Sequence, residues 1–241
     1  MTLLDNEYKS LYSGYYHSGS SLEHKRNLSA ECTVDHVRAV VGQRTWDRLI
    51  DVGAGNGSVL AKIDEAGSAN ELYAVEVSES GVSAIRALKL PHLKEAKLFD
   101  GYSIPYPDKF FDVALCIHVL EHVEHERLFL RELARVSKEL ILEVPLEGGL
   151  KIAKSIQQTA KYGHVNHYTV PGFLYLLRTV GIQPIHYSVV TSSAEYERHL
   201  YGKWRGSVKN LLRRALLASF PSIAPWLLAY LLTVHCKAVD K

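Results

Sequence analysis

The chain is poor in cysteine and shows no repeat, no low-complexity tract and no long apolar run near its start. Cys32, Cys116 and Cys236 lie far apart, too few and too scattered for a disulfide framework or a four-ligand zinc site. A reducing compartment suits them. The first residues, Met-Thr-Leu-Leu-Asp-Asn-Glu, lack the basic start and apolar core of a secretory signal, so a cytoplasmic setting is expected. Neither sign of charge dominates: 28 Lys and Arg against 26 Asp and Glu give +2. That balance speaks against DNA as a partner and disfavours RNA, because nucleic-acid binders carry a strong basic excess. Hydrophobic residues are plentiful, at 47 %, enough to fill a core. The 241 residues suit one α/β domain with insertions.

The organising stretch is Leu49-Ile50-Asp51-Val52-Gly53-Ala54-Gly55-Asn56-Gly57. Residues 49–52 read as a buried strand of a parallel sheet. Three alternate glycines follow, and residues 58–63 then take up helical spacing. Glycines here let the backbone take up φ > 0 and approach a ligand closely, and the helix N-terminus adds unpaired N–H groups. The dinucleotide fingerprint G-x-G-x-x-G/A is met only in part, with Ser58 in the place of the third small residue. Residues 71–77 form a second strand ending near Glu76, at the spacing of a carboxylate that takes ribose hydroxyls.

The run Asp51-Val52-Gly53-Ala54-Gly55-Asn56-Gly57 resembles motif I of the class I S-adenosylmethionine (SAM) dependent methyltransferases, of the kind found in the ubiquinone-pathway group. Further pieces fit in order. Asp100 leads into Gly101 and a Pro105-Tyr106-Pro107-Asp108 turn. The strand 111–117 follows, apolar but for Asp112, and then Val119-Leu120-Glu121-His122-Val123. The resemblance implies a Rossmann-like α/β fold: a seven-stranded sheet of order 3-2-1-4-5-7-6, last strand antiparallel, with helices on both faces. It also implies SAM as cofactor, with S-adenosylhomocysteine as product. The implied cofactor residues are Asp51, Gly53, Gly55, Gly57, Glu76, Val77, Asp100, Gly101 and Ile117. Asp100 would accept from the adenine amino group, the Gly101 N–H would support the ring edge, and Ile117 would flank the methionine part.

The expected division is an N-terminal helical cover (1–46), a cofactor core (47–190), a helical cap (191–232) and a last strand (233–241). The cover carries Tyr8, Tyr12, Tyr15, Tyr16 and His17, ahead of a helix over 28–41. Further helices are expected at 80–88, 124–136, 150–161 and 171–180, and strands at 97–99, 140–145 (ended by Pro145) and 182–190. The cap is basic at first (Lys203, Arg205, Lys209, Arg213, Arg214) and has no charged residue over 215–234. Twenty such residues meet the length test for a membrane span, but Pro221 and Pro225 break the run. A lid is therefore favoured over a membrane contact.

Methyl transfer from a sulfonium asks the protein to bind, align and exclude water. A hydroxyl acceptor also needs a base, and the imidazole pKa lies near working pH. His122, His118 and His164 are the catalytic candidates, and His122 leads because it directly follows Glu121 after the fourth strand. His167 lies close by in sequence. The set His118, Glu121, His122 and His164 also permits a divalent metal. It is similar to the E-x-x-E-H element of small-RNA 2′-O-methyltransferases and some ubiquinone-pathway O-methyltransferases, with His118 in place of the first acid. The expected reaction is O-methylation of a small-molecule or sugar-like acceptor. A SAM- or nucleotide-binding protein without catalysis, and an RNA methyltransferase, are the alternatives.

Overall fold

The structure is a computed structural model that describes residues 20–239. The early tyrosines and His17 lie outside the described residues. Helix α1 (Ser20–Val41) precedes β1 (Trp46–Val52), α2 (Ser58–Glu65), β2 (Ala69–Glu76), α3 (Glu79–Ala87), β3 (Leu93–Leu98) and β4 (Phe111–Ile117). Then come a 3-10 turn (Leu120–His122), α4 (Glu126–Val136), β5 (Ser137–Leu146), α5 (Ile152–Thr159) and α6 (Val170–Thr179). The chain ends through β6 (Ile182–Val190), α7 (Ala194–Tyr201), α8 (Lys203–Ser219), α9 (Ala224–Leu227) and β7 (Tyr230–Ala238).

The strands form one sheet of order β3-β2-β1-β4-β5-β7-β6. The pairs among β1 to β5 are parallel, and β7 runs antiparallel to both its neighbours. The order and the reversed last strand are those expected from the sequence. Alternation along each strand splits the core into two layers. Ile50, Val52, Ala114, Cys116, Leu140 and Leu142 pack with Phe129 and Leu133 of α4 and Phe173 of α6. Leu49, Val113, Leu115 and Ile141 pack with Val37 of α1, Leu60 and Ile63 of α2, and Ile85 of α3. Both faces of the central strands are thus covered, which is why their sequences are apolar almost throughout.

Local chemistry sets the element starts. Ser78 accepts from the Gly81 N–H at the head of α3, Thr169 from the Gly172 N–H at α6, and Ser193 from the Tyr196 N–H at α7, each an N-cap. The structure differs from the sequence expectation at Pro145. The proline does not end β5: it pairs with Leu231, and Leu146 pairs with Tyr230. β4 stops at the Ile117–Glu143 pair, so beyond Glu143 the β4 flank of β5 is an open edge. A missing N–H breaks no ladder bond there.

The uncharged stretch after Arg214 divides into the end of α8, the short α9 and the first half of β7. The side-chain amide of Asn210 donates to the Ser192 carbonyl at 2.7 Å, and the Tyr230 hydroxyl to the Arg213 carbonyl at 2.9 Å. Among the described residues no helix is long and apolar enough to cross a membrane.

Register in β7 buries Leu232 fully, whereas Leu231 is only half-buried. Leu232→Ala is expected to lower unfolding free energy by about 2–5 kcal/mol, and Leu231→Ala by clearly less. Chemical denaturation of both variants checks this; equal losses would contradict the register.

Candidate active site

The carboxyl ends of β3, β2, β1 and β4 are neighbours in the sheet, and ligands of such sheets sit at these ends. At β1 the chain enters a turn with three left-handed glycines, Gly53 (φ 78°), Gly55 (φ 59°) and Gly57 (φ 80°). A Cβ on Gly53 would stand 2.5 Å from a methyl of Val119, so any side chain there would push the turn and the loop after β4 apart. Gly57 caps α2, turning the first N–H groups of that helix toward the turn.

Glu76, at the end of β2, is buried. Its Oε2 accepts from the Gly55 N–H at 3.0 Å, and its Oε1 from the N–H and hydroxyl of Ser78, each at 3.1 Å. Burial pushes its pKa up, against the pull of these hydrogen bonds. A carboxylate offers about four acceptor positions, so this one shapes the glycine turn and keeps capacity for a ligand hydroxyl. Asp51 is also buried, and its pKa is raised to about 7, by burial first and then by the Glu76 charge. Two acids side by side, one of them hard to ionise, prepare this end of the sheet for a cationic ligand.

The remaining cofactor candidates gather around the same ends. The Asp100 carboxylate accepts from the N–H groups of Tyr102 (2.8 Å) and Ser103 (2.6 Å), which fixes the loop after β3. Gly101 has φ 98°, and a Cβ on it would lie 3.7 Å from Val77, so Val77 and Gly101 adjoin. Ile117 closes β4, half-buried.

After Ile117 the four acceptor-side candidates divide into two groups. His118 adopts φ 56°, a costly conformation for a residue with a Cβ. Its N–H donates to the Glu143 carbonyl at 3.0 Å. Its ring stands between two buried carboxylates, Nδ1 at 3.3 Å from Glu121 and Nε2 at 3.3 Å from Glu143. Burial works against its charge, but the two acids prevail and push its pKa up to about 10. At neutral pH His118 is an imidazolium, with no lone pair for a substrate proton. That charge would suit an electrostatic post rather than a base.

The second group is Glu121, His122 and His164, each with a donor atom within 4.8 Å of the others. The His122 Nδ1 bonds to the Gly163 carbonyl at 3.1 Å, and the His164 Nδ1 to Glu147 at 2.9 Å. In those tautomers Nε2 carries the lone pair. Burial lowers the His122 pKa, with the Glu121 charge opposing, so His122 is neutral near pH 7. Burial opposes ionisation of Glu121, but His118 outweighs it and holds the pKa low. The Oε2 of Glu121 is buried without a hydrogen-bond partner. The His167 Nε2 stands 3.3 Å from the Thr159 hydroxyl and 3.8 Å from Glu147, to one side.

Asn166 brings the two distant segments together. Its side chain donates to the carbonyls of Leu120 and Val123, and the N–H groups of Val165 and Asn166 donate to the Glu121 carbonyl. Sequence reasoning missed Asn166, Glu147, Glu143 and His36. Glu143 left one signal, a lone acid inside an otherwise apolar strand. The others meet their partners only through the fold. A cleft of about 190 Å³ opens beside the cluster, bounded by Glu147, Lys151, Lys154, Trp226 and Leu227.

Residues 50–140 match the methyltransferase domain family. The chain is 26 % identical over 164 residues to 27-O-demethylrifamycin SV methyltransferase of Amycolatopsis mediterranei, covering 62 % of this chain and 59 % of that protein. It is 26 % identical, also over 164 residues, to the ubiquinone/menaquinone biosynthesis C-methyltransferase UbiE of Cupriavidus taiwanensis, covering 63 % and 67 %. The chain thus spans little more than half to two thirds of these curated relatives. Its fold superposes on geranyl diphosphate C-methyltransferase of Streptomyces coelicolor, solved with Mg²⁺, geranyl diphosphate and S-adenosylhomocysteine. The TM-score is 0.63 at 15 % identity, with 88 % of this chain and 80 % of that one covered. The match places a methyltransferase domain at residues 50–140, and the sheet order and glycine turn are those of the class I, SAM-dependent methyltransferase fold.

Proposed function

We propose that the protein transfers the methyl group of SAM to an oxygen of a small-molecule acceptor held between the end of β4 and the Glu121–His122–His164 cluster. The observation that carries this reading is the neutral, tautomer-fixed His122 beside the strand end where the methyl group would lie. The rifamycin-type relative, named for an O-demethyl substrate, supports an oxygen acceptor; UbiE, named a C-methyltransferase, supports only the class.

The pocket chemistry suits SAM. The glycine turn has room for backbone approach but none for a side chain at Gly53, Glu76 suits a ribose hydroxyl, and the Asp51–Glu76 pair suits a cationic ligand. When bound, SAM supplies an electrophilic methyl on a sulfonium. The chain does the rest: Glu76 orients the ribose, Asp100 and Gly101 bound the adenine end, and Ile117 packs against the methionine part. His122 takes the acceptor's proton at Nε2 while Gly163 holds Nδ1. The charged His118 keeps Glu121 ionised, so Glu121 stabilises the imidazolium that His122 becomes.

A second reading rests on the unpartnered Oε2 of Glu121. A carboxylate and two histidines whose Nδ1 atoms are held by protein acceptors form a donor set for a first-row divalent ion. Glu121, His122 and His164 would hold it, and it would polarise the acceptor oxygen.

Labelled-methyl transfer from SAM, screened across phenols, sugars, acyl carriers and RNA, is the direct test. Transfer to a small hydroxyl compound supports the proposal, and SAM binding without transfer to any acceptor would favour a non-catalytic binder. His122→Ala is expected to lower kcat by about 10²–10⁴ with SAM affinity and thermal stability nearly unchanged. If a metal carries the step, chelator removes activity and a divalent ion restores it. Full activity in a well-folded His122→Ala protein, with no chelator effect, would contradict both readings.

The cofactor assignment has its own tests. Gly55→Val is expected to abolish SAM binding in calorimetry, and Glu76→Ala to weaken it at least tenfold; wild-type affinity in either would refute the pocket. Asp51 sets a pH dependence. A bound cation favours its charged form, so its pKa falls from about 7 on binding, and a proton is released. SAM affinity is expected to rise from pH 6 to pH 8 and to level off above. Asp51→Asn should flatten that rise; an unchanged rise in the variant would assign it to another group.

A further inference from the structure

The sequence distributes its charge unevenly. Between residues 148 and 239 there are eleven Lys and Arg against two acids, Glu195 and Glu197, while the remainder holds seventeen against twenty-four. Both acids of the basic half are engaged: Glu197 by Lys209 (3.2 Å) and Arg213 (2.8 Å), Glu195 by Arg198 (3.9 Å). Near-neutral net charge therefore conceals a basic stretch of sequence, and α8 lies within it.

α8 buries Gly206 and Asn210. The opposite stripe, Trp204, Val208, Leu211 and Ala215, recurs every three to four residues, the spacing of one helix face. It is apolar and exposed: Trp204 is 82 % accessible, Leu211 68 % and Val208 40 %, with Leu212 beside it at 62 %. At 3.6 residues per turn, Lys203 and Arg214 fall on one margin of the stripe and Arg205 on the other. All three are exposed and have no carboxylate partner among the described residues. Beyond α8, Phe220, Ile223, Trp226 and Leu227 are also exposed, and the last two line the cleft beside Glu147.

We propose that this face, α8 with residues 220–227, docks in the plane of an anionic lipid bilayer. An exposed apolar stripe rich in Trp and Leu, with cations along both margins, is the pattern of an interfacial helix. The apolar side chains enter the headgroup boundary while Lys203, Arg205 and Arg214 meet lipid phosphates. Charge selects this occupant: a second copy of the chain, paired face to face, would set basic margin against basic margin. Docking this way would turn the cleft beside the cluster toward the membrane surface. The inference stands whatever atom the site methylates.

Co-sedimentation of the full chain with vesicles tests it. Strong binding is expected to vesicles of equal parts phosphatidylglycerol and phosphatidylcholine, and weak binding to phosphatidylcholine alone. Each cation near such a surface contributes about fivefold, so Lys203→Gln, Arg205→Gln and Arg214→Gln together should lower the partition coefficient about a hundredfold. Trp204→Ser with Leu211→Ser should lower it at least tenfold. The substituted side chains are exposed, so thermal melts and SAM affinity should not change, which separates this proposal from the assignment of the active site. Wild-type protein left in the supernatant with anionic vesicles would overturn the proposal, as would undiminished binding by either variant. A dimer abolished by the Trp204→Ser, Leu211→Ser substitutions, without vesicle binding, would assign the face to a second copy instead.

Discussion

The acceptor side of this fold depends on one buried carboxylate. Glu143 has no exposed surface and sits where β5 is flanked by Ile117 of β4 and Thr233 of β7. The Thr233 hydroxyl donates to its Oε2 at 2.6 Å and His36 of α1 at 2.9 Å, while the His118 ring faces its Oε1. Burial opposes the charge, yet His118 and His36 hold the pKa of Glu143 well below the usual carboxylate range. A charge taken out of water is tolerable only when paired and hydrogen-bonded, so four elements are bound to positions that supply the pairing. The same bonds hold His118 at its left-handed φ, and that bend starts the turn carrying Glu121 and His122.

Two electrostatic regimes therefore meet at the carboxyl ends of the central strands. On the β1 and β2 side, Asp51 and Glu76 are crowded acids with no cation paired to them among the described residues, a local deficit that a positively charged ligand would relieve. On the β4 and β5 side, the acids have their cation in His118, and His122 is kept neutral by burial. Titratable groups pushed in opposite directions at one place mark a candidate reacting centre. In the proposed reaction the methyl group would travel between the two sides.

Much of this was legible in the sequence, and the limits have physical causes. The bounds of β4 and the glycine turn were readable because an apolar run and closely spaced glycines are local properties, and those of β6 followed from the resemblance. The strand order followed from the resemblance, and the sheet bears it out. Pro145 was misread because a proline's cost depends on whether its missing N–H faces a partner, which only the sheet's outline reveals. The pairing of His122 with His164 was suspected but not derivable: it is made by Asn166 reaching back to Leu120 and Val123, more than forty residues away. His118 was read as a base; the two carboxylates that flank its ring and favour its charged form come from different elements, so the sequence did not show them together. The uncharged run after Arg214 looked like one segment and is three, since its prolines fall between α8 and β7.

The central claim is that the glycine turn and Glu76 bind SAM with its methyl group toward His122. A crystal structure of the protein grown with S-adenosylhomocysteine tests it most directly. The account predicts ribose hydroxyls on Glu76, the adenine beside Val77 and Gly101, and the sulfur at the end of β4, facing His122. No ligand at saturating concentration, or a ligand bound with its sulfur turned away from the turn that carries Glu121 and His122, would contradict it.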